Sequence, residues 1–287
     1  MDRSAPLPAV PAAVRDRLHA VRHLALDMDG TIYRGCTLFP STGPFLAAIR
    51  ELGIGCSFLT NNPTRSASEY RAHLARMGVE VPAGGLYTAT EATIDWLRAR
   101  QPGVRRLFAL GTPGLLGELA AAGFTLARDD PADEPDAVVV GFDTTLAYDR
   151  VCRAAWWIQR GRLFVATNPD RVCPTDKPTV LVDCGAICAM LHAATGRGPD
   201  VVLGKPDPAM LNGVLVRHGL DAADVAVVGD RLYTDMLMAR RAGALGVLVL
   251  TGESTADDAA RADPPPDLVV PTLAELGVLL RAARAVP

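Results

Sequence analysis

The chain has 287 residues, 49% of them hydrophobic and 21% charged, with a formal net charge of −3. This is enough for one large domain or two, with a core that needs neither disulfides nor metals to hold it together. The charge balance offers no basic patch for nucleic acid, and no apolar run approaches the roughly 18 residues that would span a membrane.

Apolar runs that read as strands alternate with helix-like segments along nearly the whole chain, which predicts an α/β fold with a parallel sheet. The first run, residues 23–27 (HLALD), ends in an acid. Residues 43–52 have helical spacing and stop at Gly53; residues 55–60 (GCSFLT) read as a second strand, and residues 66–77 as a helix closed by Gly78. The middle repeats the alternation: strands at 106–110, 137–140 and 163–166, with helices at 115–122 and 150–160. After a Gly/Pro break at 196–199, strands at 226–229, 246–250 and 267–270 resume the pattern, each followed by a helix.

Pro6, Pro8 and Pro11 interrupt the N-terminal segment, which therefore does not read as a secretory signal. Six cysteines show no CxxC pair and no zinc spacing, and Cys184 and Cys188, four apart, read as buried thiols on one helix face. The pattern suits a reducing compartment, and a cytoplasmic protein is expected. Of the 29 basic residues only Lys177 and Lys205 are lysines, and the other 27 are arginines.

Four polar groups fall where apolar runs end, the edge at which open parallel sheets bind ligands. They are Asp27-Met28-Asp29-Gly30-Thr31, Thr60-Asn61-Asn62, Gly204-Lys205-Pro206, and Gly229-Asp230-Arg231 with Thr234-Asp235 close behind. Each alone has a plain structural reading as a turn, a loop or a helix cap. Their joint occurrence in this order points to chemistry.

With these motifs the sequence resembles the haloacid dehalogenase (HAD) superfamily of phosphohydrolases. Within it the resemblance is to class IIA, the branch of NagD-like, p-nitrophenylphosphatase-like, phosphoglycolate and pyridoxal-phosphate phosphatases. The segments that carry it include LTNNPTRS (59–66), VGFD (140–143), GKPDPAML (204–211) and VGDRLYTD (228–235). The resemblance implies a Rossmann-like parallel-sheet core over residues 1–100 and 200–287, with an inserted α/β cap over 101–199. It implies Mg²⁺-dependent hydrolysis of a phosphate monoester, with Asp27 as nucleophile and Asp29 as the acid and then base. Mg²⁺ would be held by Asp27, the Asp29 carbonyl and Asp230, with Asp235 orienting water from behind these ligands. Thr60, Asn61 and Asn62 would hydrogen-bond phosphoryl oxygens or the nucleophile, and Lys205 would supply positive charge.

In the cap, Cys173 stands about where the pyridoxal-phosphate type commonly has a histidine, which weighs against that substrate. Val182-Asp183-Cys184-Gly185 stands where many relatives read Pro-Gly-Ala-Gly. Asp183 is either a substrate contact or the N-cap of a helix over 185–194. Lys177, also in the cap, is read as a solvated charge or a substrate contact. The expected partner is a small phosphorylated metabolite, and class IIA caps often support homodimers. Two other readings remain: an aspartyl-phosphate receiver or binding module, and a HAD-fold enzyme with other chemistry such as phosphotransfer. A receiver would require neither Asp29 nor the long insertion.

Overall fold

A computed structural model describes residues 10–173 and 178–285. Lys177 lies outside the described residues. The chain opens with α1 (Ala12–Ala20), β1 (His23–Asp27), a small antiparallel pair β2 (Tyr33–Arg34) and β3 (Thr37–Leu38), α2 (Thr42–Glu51) and β4 (Gly55–Thr60). It continues through α3 (Ala67–Arg76), β5 (Leu86–Thr88), α4 (Ala89–Arg100), β6 (Arg106–Leu110), α5 (Pro113–Ala121), β7 (Thr125–Leu126) and β8 (Ala137–Val140). Then come α6 (Tyr148–Gln159), β9 (Leu163–Ala166), β10 (Val172–Cys173), β11 (Leu181–Val182), α7 (Cys184–Thr195), β12 (Val201–Val202) and α8 (Pro208–His218). The chain closes with β13 (Val225–Gly229), α9 (Leu237–Ala242), β14 (Leu245–Val249), α10 (Ala256–Arg261), β15 (Leu268–Val270) and α11 (Leu273–Ala285).

Local chemistry explains several boundaries. Thr88 caps α4 through a reciprocal pair with Glu91, and Thr255 caps α10 in the same way with Asp258. Pro113 opens α5, where its missing N–H costs nothing. Gly196 closes α7 at φ 72°, a conformation that a side chain would resist.

Two compact units result. The first comprises the described residues within Met1–Leu59, Met77–Gly85 and Val214–Pro287. Its strands lie side by side in the order β15-β14-β13-β1-β4, all parallel. β1 is buried along its length except at Asp27, and β13 and β14 are buried throughout, which is why all three read as near-continuous apolar runs.

The second unit comprises Thr60–Arg76 and the described residues within Leu86–Gly213. Its sheet has the order β12-β9-β8-β6-β7, again parallel. Alternation along its strands feeds two cores. Phe108, Leu110, Val138, Val140 and Phe164 pack with Trp157, Ile158, Ile187 and Leu191 of α6 and α7. Leu107, Ala109, Val139 and Val165 face the other way, onto Ile94 and Leu97 of α4 and Leu115 and Leu119 of α5.

Segments 60–76, 86–100 and 200–213 group with this second unit, whereas the sequence placed them with 1–59 and 214–287. The reason is local packing. The apolar face of α4 and Leu203 complete the second unit's core. The Ala67 N–H donates to the Glu118 carboxylate at 2.5 Å, and the Thr112 hydroxyl donates to the Thr64 carbonyl at 3.0 Å.

All six cysteines are free thiols, and Cys184 and Cys188 are buried with sulfurs 3.9 Å apart. Among the described residues no helix is long and apolar enough to cross a membrane.

His23 begins β1 inside the first unit. Its Nε2 meets Ser57 Oγ at 2.9 Å, Ser57 Oγ meets His218 Nε2 at 3.2 Å, and the two imidazole rings lie 4.5 Å apart. Burial, and then the facing His218, push His23 from 6.5 down to about 4. The unfolded chain therefore binds a proton at this site below about 6.5 that the native chain refuses until about 4. Native stability falls as pH drops through that window. Between pH 7 and 5 the wild type should lose about 2 kcal/mol more than His23→Gln in urea unfolding. Equal losses in the two proteins would refute this.

Candidate active site

In the first unit, Leu26 pairs with Val228, so β1 and β13 finish at the same sheet edge. The acids Asp27 and Asp230 therefore leave neighbouring strands together. Asp235 joins them from a widened, π-helical turn over Leu232–Met236 that precedes α9. One carboxylate oxygen each of Asp27, Asp230 and Asp235 lies within 4.8 Å of the others.

Glycines make room for this crowding. A Cβ on Gly30, whose φ is +85°, or on Gly252 would collide with the Asp230 carboxylate, and one on Gly229 would collide with Asp235. Asp230 is 2% exposed. Its Oδ2 accepts the Glu253 N–H at 2.7 Å, and its backbone carbonyl accepts the Ser254 N–H at 3.1 Å. Its Oδ1 is buried with no hydrogen-bond partner among the described residues. The Thr31 hydroxyl donates to Asp27 Oδ2 at 3.2 Å. Asp235 Oδ2 accepts the Arg231 N–H and the Thr234 hydroxyl, each at 3.3 Å.

The electrostatics follow from the crowding. Burial, then the charges of Asp27 and Asp235, raise the Asp230 carboxyl well above the usual carboxylate range. Asp29 keeps an open side to solvent. The protein packed around it, and then Asp27, nonetheless push its carboxyl up to about 6. Burial opposes the charge of Arg231, but Tyr233, Asp230, Asp27 and Glu253 outweigh it and hold the guanidinium protonated. Arg231 Nε lies 2.9 Å from Glu253 Oε2, and the Tyr233 hydroxyl donates to Glu253 Oε1 at 2.8 Å. Sequence reasoning gave no role to Arg231 or Glu253. Arg231 was visible beside Asp230, whereas Glu253 carries no local signal.

A divalent cation fits this group. The donors are all carboxylate oxygens, the buried Asp230 Oδ1 lacks a hydrogen-bond partner among the described residues, and the charges of Asp27 and Asp235 add to burial in raising the proton affinity of Asp230.

The second unit assembles the other expected residues. Thr60 Oγ1 accepts the Asn62 N–H at 3.1 Å, which leaves the hydroxyl able to donate. Asn61 is hydrogen-bonded on both sides of its amide, to the backbone of Lys205 and to Asp170. Asn62 Oδ1 accepts the Thr64 N–H at 2.9 Å, and its Nδ2 donates to Cys173 Sγ at 3.6 Å. Lys205 is 4% exposed. Asp183 is buried and caps α7, accepting the Cys184 N–H at 2.5 Å. The helix expected from residue 185 thus starts one residue earlier, at Cys184.

Against known proteins, a model of the haloacid dehalogenase-like hydrolases matches residues 24–125, and a second model of the HAD type matches residues 202–276. Ribonucleotide monophosphatase NagD of Escherichia coli is 33% identical over 90% of this chain and 99% of its own. The crystal structure of a 4-nitrophenylphosphatase from Thermotoga maritima is 38% identical over 91% of this chain and 98% of its own, with a TM-score of 0.86. A glycerol phosphate phosphatase from Mycobacterium tuberculosis, solved in complex with magnesium, is 34% identical over 91% of this chain and 77% of its own, with a TM-score of 0.83.

The chain belongs to the haloacid dehalogenase-like hydrolases. Within them it is a class IIA phosphatase, with the α/β fold and the parallel sheets of that branch.

Because Gly252 faces the Asp230 side chain, Gly252→Ala should displace that carboxylate rather than strain the backbone. We expect weaker affinity for an activating divalent cation and a kcat lower on the order of 100-fold. Thermal unfolding should change little. A cation titration of activity that matches wild type would refute the cradle.

Proposed function

We propose that this chain hydrolyses the phosphate monoester of a small metabolite, with Mg²⁺ as its cation and Asp27 as its nucleophile. The observation that carries the reading is the meeting of Asp27, Asp230 and Asp235 at one sheet edge, with oxygens within 4.8 Å of one another. An Asp27 oxygen attacks phosphorus, the ester P–O bond breaks, and Asp29 gives its proton to the leaving oxygen. Asp29 then takes a proton from water as that water attacks the aspartyl phosphate, which releases inorganic phosphate and restores Asp27. A carboxyl raised to about 6 suits both steps near neutral pH.

Asp27, the Asp29 carbonyl and Asp230 would hold Mg²⁺, which when bound offsets the charge of the phosphoryl oxygens. Asp235 orients water behind these ligands. In this reading Thr60 donates to the phosphoryl group and Lys205 adds the remaining positive charge. Asn62 stands beside Thr60 in the same motif.

Residues 101–199 act as the specificity cap, and Cys173 and Asp183 are its candidate substrate-side residues. Relatives named for ribonucleotide, glycerol phosphate and 4-nitrophenyl phosphate hydrolysis support a small monoester as the substrate class. We also infer a cytoplasmic protein, from its six free thiols, and a homodimer formed through the cap.

Purified protein should turn over p-nitrophenyl phosphate with Mg²⁺ and not with EDTA, and Asp27→Asn should abolish turnover. A receiver module or an obligate phosphotransferase would fail the first assay. Lys205→Arg should cost about 100-fold or more in kcat, because a planar guanidinium cannot replace a compact ammonium. Asp183→Ala should lower stability by about 1 kcal/mol through loss of the α7 cap. If relative kcat/KM across sugar phosphates, phosphoglycolate, nucleotides and pyridoxal phosphate stays fixed in that variant, Asp183 does not read the substrate.

A further inference from the structure

Asn61 follows Thr60 in the motif that the sequence assigned to the phosphoryl group, yet its amide is turned onto the protein. Asn61 Oδ1 accepts the Lys205 N–H at 2.6 Å, and its Nδ2 donates to the Lys205 carbonyl at 2.9 Å. One side chain thus grips both backbone polar groups of one residue, as a neighbouring strand would. The second N–H of Nδ2 goes to Asp170 Oδ2 at 3.1 Å. The Asn61 carbonyl in turn accepts Asn168 Nδ2 at 2.6 Å. Asn61 is 7% exposed and Asn168 fully buried, so water does not compete for these bonds.

The orientation of the amide is fixed by its partners. Turned over, it would set an NH₂ against the Lys205 N–H and an oxygen against both the Lys205 carbonyl and the Asp170 carboxylate. Space is fixed as well. Gly204, at φ +73°, comes so close that a Cβ there would lie 2.8 Å from Asn61 Oδ1 and 2.9 Å from the Thr167 carbonyl. With both donors of its amide engaged, Asn61 has no side-chain N–H left for a phosphoryl oxygen.

We propose that Asn61 is a positioning residue: its amide clamps the backbone of Lys205 and so sets where the lysine ammonium points. Asp170 and Asn168 hold the clamp from the segment that leads to Cys173. The inference rests on the role given above to Lys205 for its catalytic consequence, but not for the clamp itself.

Two measurements test it. Because the chain has two lysines, protein labelled with ¹⁵N-lysine gives two lysine amide signals, and Lys177 serves as internal reference. Asn61→Ala and Asn61→Asp should both move the Lys205 signal and leave the reference in place. An unmoved Lys205 signal in folded protein overturns the clamp, whether or not the protein is active.

The second measurement is a kinetic cycle of Asn61→Ala, Lys205→Ala and the double variant on p-nitrophenyl phosphate. Asn61→Ala alone should lower kcat by roughly 10- to 100-fold, with a smaller change in KM. In the Lys205→Ala background it should change kcat by less than about twofold. Equal fold-losses in the two backgrounds would mean that the amide acts on the substrate directly, and would overturn the inference. Wild-type kcat in Asn61→Ala would overturn it too. An inactive wild type instead removes the phosphatase reading, and the amide signals still decide the clamp.

Discussion

Three carboxylates share one small volume at the ends of β1 and β13, and this like-charge crowding sets the terms for the rest of the first unit. Two unit charges at about 5 Å repel by about 3 kcal/mol in the effective dielectric of a protein site. Nothing in a folded core offers that repulsion for free. It persists because the parallel register brings Asp27 and Asp230 to one edge, and because Gly30 and Gly252 leave the Asp230 carboxylate no neighbouring side chain to displace it. The protein meets the charge partly with the Arg231 guanidinium and partly by raising the proton affinity of Asp230. A bound divalent cation would remove the remainder, and so the site stores a preference for binding one.

The second unit solves a different problem, that of holding polar groups still without exposing them. Its sheet is covered on both faces by helices, so Thr60, Asn61, Asn168 and Lys205 lie buried beside well-packed strands. Buried polar groups are tolerated when each finds a partner, and here the partners are backbone atoms of the residues to be positioned. The Asn61 amide exemplifies this economy: the bonds that satisfy it are the bonds that fix Lys205.

The strands that matter were legible because burial on both faces turns them into short apolar runs, and because each of the runs at 23–27 and 225–229 is closed by, or immediately followed by, an acid. Asp27 and Asp230 could therefore be expected at one sheet edge, and it was the resemblance to the HAD superfamily that set Asp235 behind them. The structure then placed their oxygens together. Helix α4 was not anticipated. Its residues 89–100 carry threonines at buried positions and lack a clean apolar stripe, so periodicity alone does not announce it. The grouping of 86–100 with the second unit followed from the same omission, since Ile94 and Leu97 reveal their partners only in three dimensions. The glycine cradle was half visible: Gly30 stood beside the acids, but Gly252 lies far from Asp230 in sequence. Asp183 had two balanced readings, and only the geometry of α7 showed its carboxylate capping the helix.

The rarity of lysine acquires a physical meaning once burial is known. In a chain that uses arginine at 27 of its 29 basic positions, a residue that remains lysine at 4% exposure is under a steric and electrostatic constraint. A guanidinium carries five N–H donors on a rigid plane, and burying it requires acceptors for most of them. An ammonium is compact, needs three, and directs its charge to a point. The backbone of Lys205 is gripped on both sides by one amide, while Gly204 leaves no room for adjustment. On a backbone gripped in this way, a compact ammonium asks less of its surroundings than a broad guanidinium would. Clamp and lysine are therefore one device: the amide has value because the charge it aims is small, and the charge can be small because its position is not left to the side chain's own flexibility.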